Sequence, residues 1–192
     1  MNCKSIYDET TCKKLLVSVG LRHPAKGIKI SGKRKAEILL AYKTNDMTVF
    51  VETGTEFGTM IERLKEHFNE IHSIELDDTL YKDAVKRFQG ERQIHLYHGD
   101  SATEIRKILP PLTSPALFWL DAHGGGDITF QNSPIEGELR AIFAHPVQGH
   151  IILIDDARHF NRSDIRKIAH IARANTYHCV IKEGLFILTP KG

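Results

Sequence analysis

The chain has 192 residues, 41% of them hydrophobic and 26% charged, a profile that excludes collagen-like, low-complexity and strongly disordered classes. A chain of this length buries about 70% of the surface its unfolded form exposes, so one globular domain needs neither disulfides nor a structural metal. Lys and Arg number 26 against 24 Asp and Glu, and a net charge of +2 indicates neither a nucleic-acid nor a membrane-surface protein.

Residues 1–47 read as a basic helical arm: an amphipathic segment at 13–19, a Pro- and Gly-containing link at 23–32 and a helix at 34–42. Within residues 1–45, ten Lys or Arg stand against Asp8, Glu9 and Glu37, a net of +7, so an anionic partner would be met here. A solvated helix face is the commoner reason for such a run.

From 48 to 192, short β-branched or aromatic runs alternate with helical-period segments, the pattern of a parallel sheet covered by helices on both faces. Strands are expected at 48–52, 71–75, 94–97, 116–121 and 150–155. Phe57, Met60, Ile61, Leu64 and Phe68 recur at helical spacing after the first, and Leu80, Tyr81, Ala84, Val85 and Phe88 after the second. In Ser133-Pro134-Ile135-Glu136, Ser133 is expected as N-cap, Pro134 as first helical residue and Glu136 as the capping-box acid, with Leu139, Ile142 and Phe143 on the buried side. A helix at 163–174 precedes strands at 177–182 and 185–189, joined through Glu183-Gly184 as a hairpin that makes the last strand antiparallel to its neighbour. The expected fold is α/β, with a seven-stranded, mostly parallel sheet ending in an antiparallel hairpin.

Ligands of such sheets bind at the carboxyl ends of the strands, and the ends here are polar or glycine-rich. Val51-Glu52-Thr53-Gly54-Thr55-Glu56-Phe57-Gly58 is a tight strand-to-helix turn in which Gly54 and Gly58 would let a ligand approach the backbone, or would serve an ordinary loop. Glu75 follows Gly54 by 21 residues, the spacing of an acid that accepts from ribose hydroxyls. Asp100, followed by Ser101, could accept from an adenine amino group or cap the next helix. Asp121, Asp155 and Asp156 end the fourth and fifth strands, and three converging carboxylates call for a hard divalent ion such as Mg²⁺, or for roles as a cap and a cofactor contact without metal.

Taken together, Glu-x-Gly-Thr-x-x-Gly, Glu75, Gly99-Asp100, Asp121 and Asp155-Asp156 resemble the class I S-adenosylmethionine-dependent methyltransferases. The likeness is to the metal-dependent O-methyltransferases of the catechol and caffeoyl-coenzyme A type and, more loosely, to macrolide-sugar O-methyltransferases, over about 48–190. The resemblance implies a Rossmann-like methyltransferase fold. It implies that Glu52, Thr53, Gly54, Thr55 and Gly58 surround the methionine part of the cofactor, Glu75 the ribose, and Asp100 with Ser101 the adenine. Asp121, Asp155 and Asp156 would correspond to the metal carboxylates, although the catechol type usually has Asn in the position of Asp156. Those enzymes also have a lysine three positions after the first metal aspartate, where this chain has Gly124. His123 is the nearest replacement for a base, with His159 behind it.

The implied activity is O-methylation of a small hydroxyl-bearing substrate with S-adenosylmethionine and a divalent cation. An NAD-dependent oxidoreductase and a non-catalytic methyltransferase-like binding domain are the alternatives. Against NAD, the second glycine of G-x-G-x-x-G is missing, and Glu56 would sit close to the phosphates. Cys3, Cys12 and Cys179 have no paired spacing and suggest free thiols, and no apolar run approaches a membrane span, so a soluble, cytoplasmic protein is expected. Neither a membrane nor a nucleic acid is expected as partner, and a homodimer is compatible with the sequence.

Overall fold

The computed structural model describes residues 30–122 and 133–192. Helix α1 (Gly32–Tyr42) is followed by β1 (Val49–Thr53), α2 (Thr59–Leu64) with a 3-10 turn at Lys65–His67, β2 (Glu70–Glu75), α3 (Asp78–Arg87), β3 (Ile94–His98) and α4 (Ser101–Ile108). Then come β4 (Leu117–Leu120), α5 (Ile135–Phe143), β5 (Ile151–Ile154), a 3-10 turn at Ala157–His159, α6 (Arg162–Ala174), β6 (Tyr177–Lys182) and β7 (Leu185–Pro190).

One sheet runs in the order β3-β2-β1-β4-β5-β7-β6. The first five strands in that order are mutually parallel, and β7 is antiparallel to both β5 and β6. Strand order reverses beside β1, which has β2 on one side and β4 on the other, so a cleft opens at the carboxyl ends there. Both faces of the sheet are covered, which explains why the central strands are apolar without interruption. Val51, Phe118 and Ile152 join Ile105, Leu139 and Ile168 in one core, whereas their neighbours Phe50, Trp119 and Leu153 join Leu39, Ile61 and Leu64 in the other. Leu39, Ile61 and Leu64 are fully buried, each worth about 1.5–3 kcal/mol of transfer free energy. Ala36, Ile38 and Leu39 put α1 within the second core, against the same sheet face as α2.

Among the described residues the expected strands, hairpin and helices are present, with differences at particular ends. Helix α5 starts one residue later than the capping box predicts: Pro134 is its N-cap, no side chain caps it, and the Ser133 hydroxyl is buried without a partner. Glu136 reaches forward to Arg140 at 2.7 Å instead of back to an amide. Phe57 precedes α2 in the turn and is 64% exposed rather than packed on the sheet. On α3 only Ala84 is buried, Phe88 being buried just beyond it, and Val85 faces outward. In the β6–β7 turn Glu183 and Gly184 have φ of 51° and 81°, the left-handed pair that a two-residue hairpin requires. The segments at 13–19 and 23–29, His123, the glycine run after it, Cys3 and Cys12 lie outside the described residues. Cys179 is a free cysteine, and burial pushes its thiol up to about 12. Among the described residues no helix is long and apolar enough to cross a membrane.

A buried histidine closes the entry to β5. The Ala116 N–H donates to His150 Nδ1 at 3.0 Å, so the neutral ring carries its proton on Nε2, which meets His145 Nδ1 at 3.1 Å. Burial, and then the neighbouring His145, lower His150 from 6.5 to about 4. Its neutral form is therefore fully stabilising above the unfolded value, and that contribution is lost as pH falls from 6.5 towards 4. Urea unfolding near pH 7.5 and near pH 4.5 should show wild type losing about 2 kcal/mol more than His150→Asn over that interval.

Candidate cofactor and substrate site

At the carboxyl end of β1, Glu52 is buried and accepts a hydrogen bond from the Ser73 hydroxyl at 2.7 Å, and Ser73 is 2.6 Å from the Thr55 hydroxyl. Burial drives the Glu52 carboxyl up to about 8. The Ser73 hydrogen bond opposes that rise, and the nearby charges of Glu75 and Glu56 add to it. Glu75, at the end of β2, accepts from two backbone amides, Glu56 N–H at 2.8 Å and Asp77 N–H at 2.9 Å, one to each oxygen. Its carboxylate is thereby oriented at the mouth of the cleft. Leu76, next to it, is 70% exposed.

Asp100 takes the capping role: Oδ1 accepts from Thr103 N–H at 3.0 Å at the start of α4. The Ser101 hydroxyl behind it is buried, as is that of Thr53. Between them lies Glu138 of α5, fully buried, with these two hydroxyls as its polar neighbours. Burial raises Glu138 to about 7, with the Ser101 and Thr53 hydroxyls beside it opposing the rise.

Gly54 has a φ of +84°, and a Cβ there would stand 2.6 Å from the Asp121 carbonyl oxygen. At Gly58 the corresponding contact is the Phe88 ring, at 2.5 Å. The Cβ direction is filled at both positions by the protein itself, so a glycine is needed at each for the turn to pack.

The ends of β4 and β5 carry Asp121, Asp155 and Asp156. Asp121 is raised to about 9 by burial and then by Asp155; Lys35 opposes this, and Asp156 and Glu52 add to it. Asp155 is paired with Lys35 Nζ through Oδ2 and accepts from the Asp156 N–H through Oδ1 at 2.7 Å. Burial works against the charge of Lys35, but Asp155, and at longer range Asp121 and Asp156, hold it above the ordinary lysine value. Its Nζ also lies 5.6 Å from the centre of the Trp119 ring. Asp156, in the left-handed region at φ 50°, pairs with Arg158 at 2.8 Å and has His159 Nε2 at 3.9 Å. Two of the three carboxylates expected to hold Mg²⁺ therefore have other partners: an ammonium for Asp155 and a guanidinium for Asp156. Among the described residues no three His, Cys, Asp or Glu side chains are arranged to bind a metal ion.

The structure thus gathers Glu52, Thr53, Thr55, Glu75, Asp121 and Asp155 at the carboxyl edge of the sheet, with Asp100 capping α4 there and Asp156 paired with Arg158. Sequence reasoning missed Lys35, Glu138 and Leu76. A signal for Lys35 exists: three and four positions later stand Ile38 and Leu39, both buried, so this lysine lies on the apolar face of α1 rather than on a solvated one.

No protein-family model and no curated protein matches the chain. Solved structures do. An O-methyltransferase from Bacillus cereus in complex with SAH matches with a TM-score of 0.58 and 17% identity, over 97% of this chain and 93% of that one. The O-methyltransferase TomG from Streptomyces achromogenes, in complex with SAM, matches with a TM-score of 0.58 and 14% identity, over 98% and 93%. The 23S rRNA methyltransferase ErmE matches with a TM-score of 0.57 and 13% identity, over 86% and 70%. This is the fold of the class I S-adenosylmethionine-dependent methyltransferases. At these identities the likeness is one of fold, and the methyltransferase fold alone does not choose an acceptor, since these neighbours include enzymes named for O-methylation and for ribosomal RNA.

The glycine geometry makes a prediction that needs no ligand. Gly54→Ala must move the Asp121 carbonyl and strain the backbone, so it should lower the unfolding free energy of the ligand-free protein by at least about 1 kcal/mol, read by urea denaturation. An unchanged midpoint would mean that the turn has room there.

Proposed function

We propose that the chain is an S-adenosylmethionine-dependent methyltransferase acting on a hydroxyl group of a small acceptor. The observation that carries this reading is the gathering of acids at this edge. Glu52, Glu75 and Asp121 end three adjacent strands around the Gly54 turn, and two of them are buried enough to be raised to about 8 and about 9. Acids held protonated in this way ionise beside an arriving cation, where unit charges about 4 Å apart gain roughly 4 kcal/mol at an effective dielectric of about 20, whereas a pyrophosphate gains no such charge complement. S-adenosylmethionine presents a sulfonium and an ammonium; NAD presents its two phosphates at this turn.

The residues present fit that cofactor. Glu75, fixed by two amides, keeps lone pairs for ribose hydroxyls. The buried hydroxyls of Thr53 and Ser101, with the Glu138 carboxyl between them, supply polar contacts under the nucleoside, with Asp100 beside Ser101. Exposed Leu76 and Phe57 offer apolar cover for the adenine, and Thr55 and Gly58 complete the turn. When bound, the cofactor supplies an electrophilic methyl group. The chain's own work is to hold the acceptor in line and to take its proton. His123, two positions beyond Asp121 and outside the described residues, is the proposed proton acceptor. His159 is less suited, because its Nε2 lone pair already accepts from Arg158 Nε at 2.8 Å. Mg²⁺ has no place in this reading while Lys35 holds Asp155. Neighbours of this fold include O-methyltransferases, whose acceptor chemistry the proposal takes.

Calorimetric titration with S-adenosylmethionine, S-adenosylhomocysteine and NAD in parallel tests the proposal. The first two should bind and NAD should not, and Glu75→Ala should weaken S-adenosylmethionine at least about tenfold, or about 1.4 kcal/mol. NAD binding more tightly than S-adenosylmethionine, or an unaffected Glu75→Ala variant that is still folded, would contradict it.

A further inference from the structure

Three carboxylates delivered to one sheet edge by β4 and β5 must be neutralised, and from sequence a divalent ion is expected to do so. The structure supplies a side chain from another part of the chain. Lys35 belongs to α1, and its Nζ pairs with Asp155 Oδ2; the lysine side chain is 18% exposed and the aspartate side chain 4%, so little water screens the pair. The face of the Trp119 ring stands at 5.6 Å on a second side of the ammonium.

The position of Lys35 is fixed from both ends. Ile38 and Leu39, one helical turn on, anchor the same face of α1 in the core. Arg34 donates through Nε at 2.9 Å and through a terminal nitrogen at 2.8 Å to the Glu183 carboxylate in the β6–β7 turn. The adjoining Gly184 carbonyl accepts from Ala157 N–H at 2.8 Å, immediately after Asp156. Helix α1, the hairpin turn and the exit of β5 are thus one connected unit, and the ammonium is held against Asp155 rather than resting there. A hard divalent ion on Asp155 would need its oxygens at about 2.0–2.6 Å, in the region the ammonium takes. Two cations sharing that carboxylate would repel each other at short range.

We propose that Lys35 is the resident cation of this edge, a positioning residue that neutralises Asp155 and thereby keeps a divalent ion out of the Asp121–Asp155–Asp156 group. A consequence that rests on the methyltransferase reading is that the acceptor meets an ammonium there rather than a Lewis acid.

The test is a Mn²⁺ titration of the full chain without cofactor, following free Mn²⁺ by electron paramagnetic resonance. Wild type and Lys35→Arg should leave the ion free. Lys35→Met should bind one Mn²⁺ per chain at least about tenfold more tightly than wild type, and adding Asp155→Asn should abolish that gain. Loss of helix packing alone would not create a metal site, and Lys35→Gln is a second neutral variant should the Met form fail to fold. A stoichiometric Mn²⁺ site in wild type, or folded neutral variants that gain no affinity, would overturn the proposal. Because no cofactor is present, failure here leaves the methyltransferase reading intact, and failure of S-adenosylmethionine to bind leaves the Lys35 assignment intact.

Discussion

β1, β4 and β5 are parallel neighbours, so their carboxyl ends open on the same side and carry Glu52, Asp121 and Asp155 to one edge, where burial removes much of the water that would screen them. The cost of that arrangement shows in Glu52 and Asp121, held at about 8 and about 9. At the β5 end a protein cation answers it, Lys35 on Asp155. At the β1 end the nearest partner of Glu52 is a neutral hydroxyl, Ser73, so a bound cation would gain most there.

Packing joins the two ends mechanically. Gly54, in the turn after β1, lies directly against the Asp121 carbonyl, and the Asp121 amide extends the ladder to the Thr53 carbonyl at 3.0 Å. A shift in the β1 turn is therefore felt at the β4 exit, beside Asp155. The β6–β7 hairpin extends the same logic outwards: its turn is tied to the residues after Asp156 on one side and to Arg34 of α1 on the other. The antiparallel strand at the end of the sheet thus does more than finish it, because it holds the helix that delivers Lys35.

Much of the fold is legible in the sequence, because strands buried on both faces must read as apolar runs and because Glu183-Gly184 admits the left-handed turn a hairpin needs. The place of Glu75 at the end of β2 is legible for a related reason: its distance from Gly54 is set by the length of one helix and one strand. What is not legible depends on contacts between distant segments. The capping box at Ser133 is an exception, lost to an equally local pair of Glu136 with Arg140. Gly54 reads as an opening for a ligand because its actual neighbour, Asp121, lies far along the chain. Asp155 and Asp156 read as a pair of metal ligands, but adjacent residues need not act together, and here one faces Lys35 while the other, in the left-handed region, turns to Arg158. The partner of Asp155 is 120 residues away, and only the helical register of Lys35 with Ile38 and Leu39 hints at its inward direction.

The central claim is that buried carboxylates at this edge are matched to a cationic cofactor, and proton release on binding tests it most directly. At about pH 7.5 Glu52 is largely protonated in the free protein, and a cation beside it would favour the carboxylate and expel the proton. Calorimetry of S-adenosylmethionine binding in two buffers of different ionisation enthalpy should therefore show net proton release, and Glu52→Gln, which keeps an acceptor for Ser73, should show less. Binding with no proton released, or with the same release in Glu52→Gln, would contradict the account.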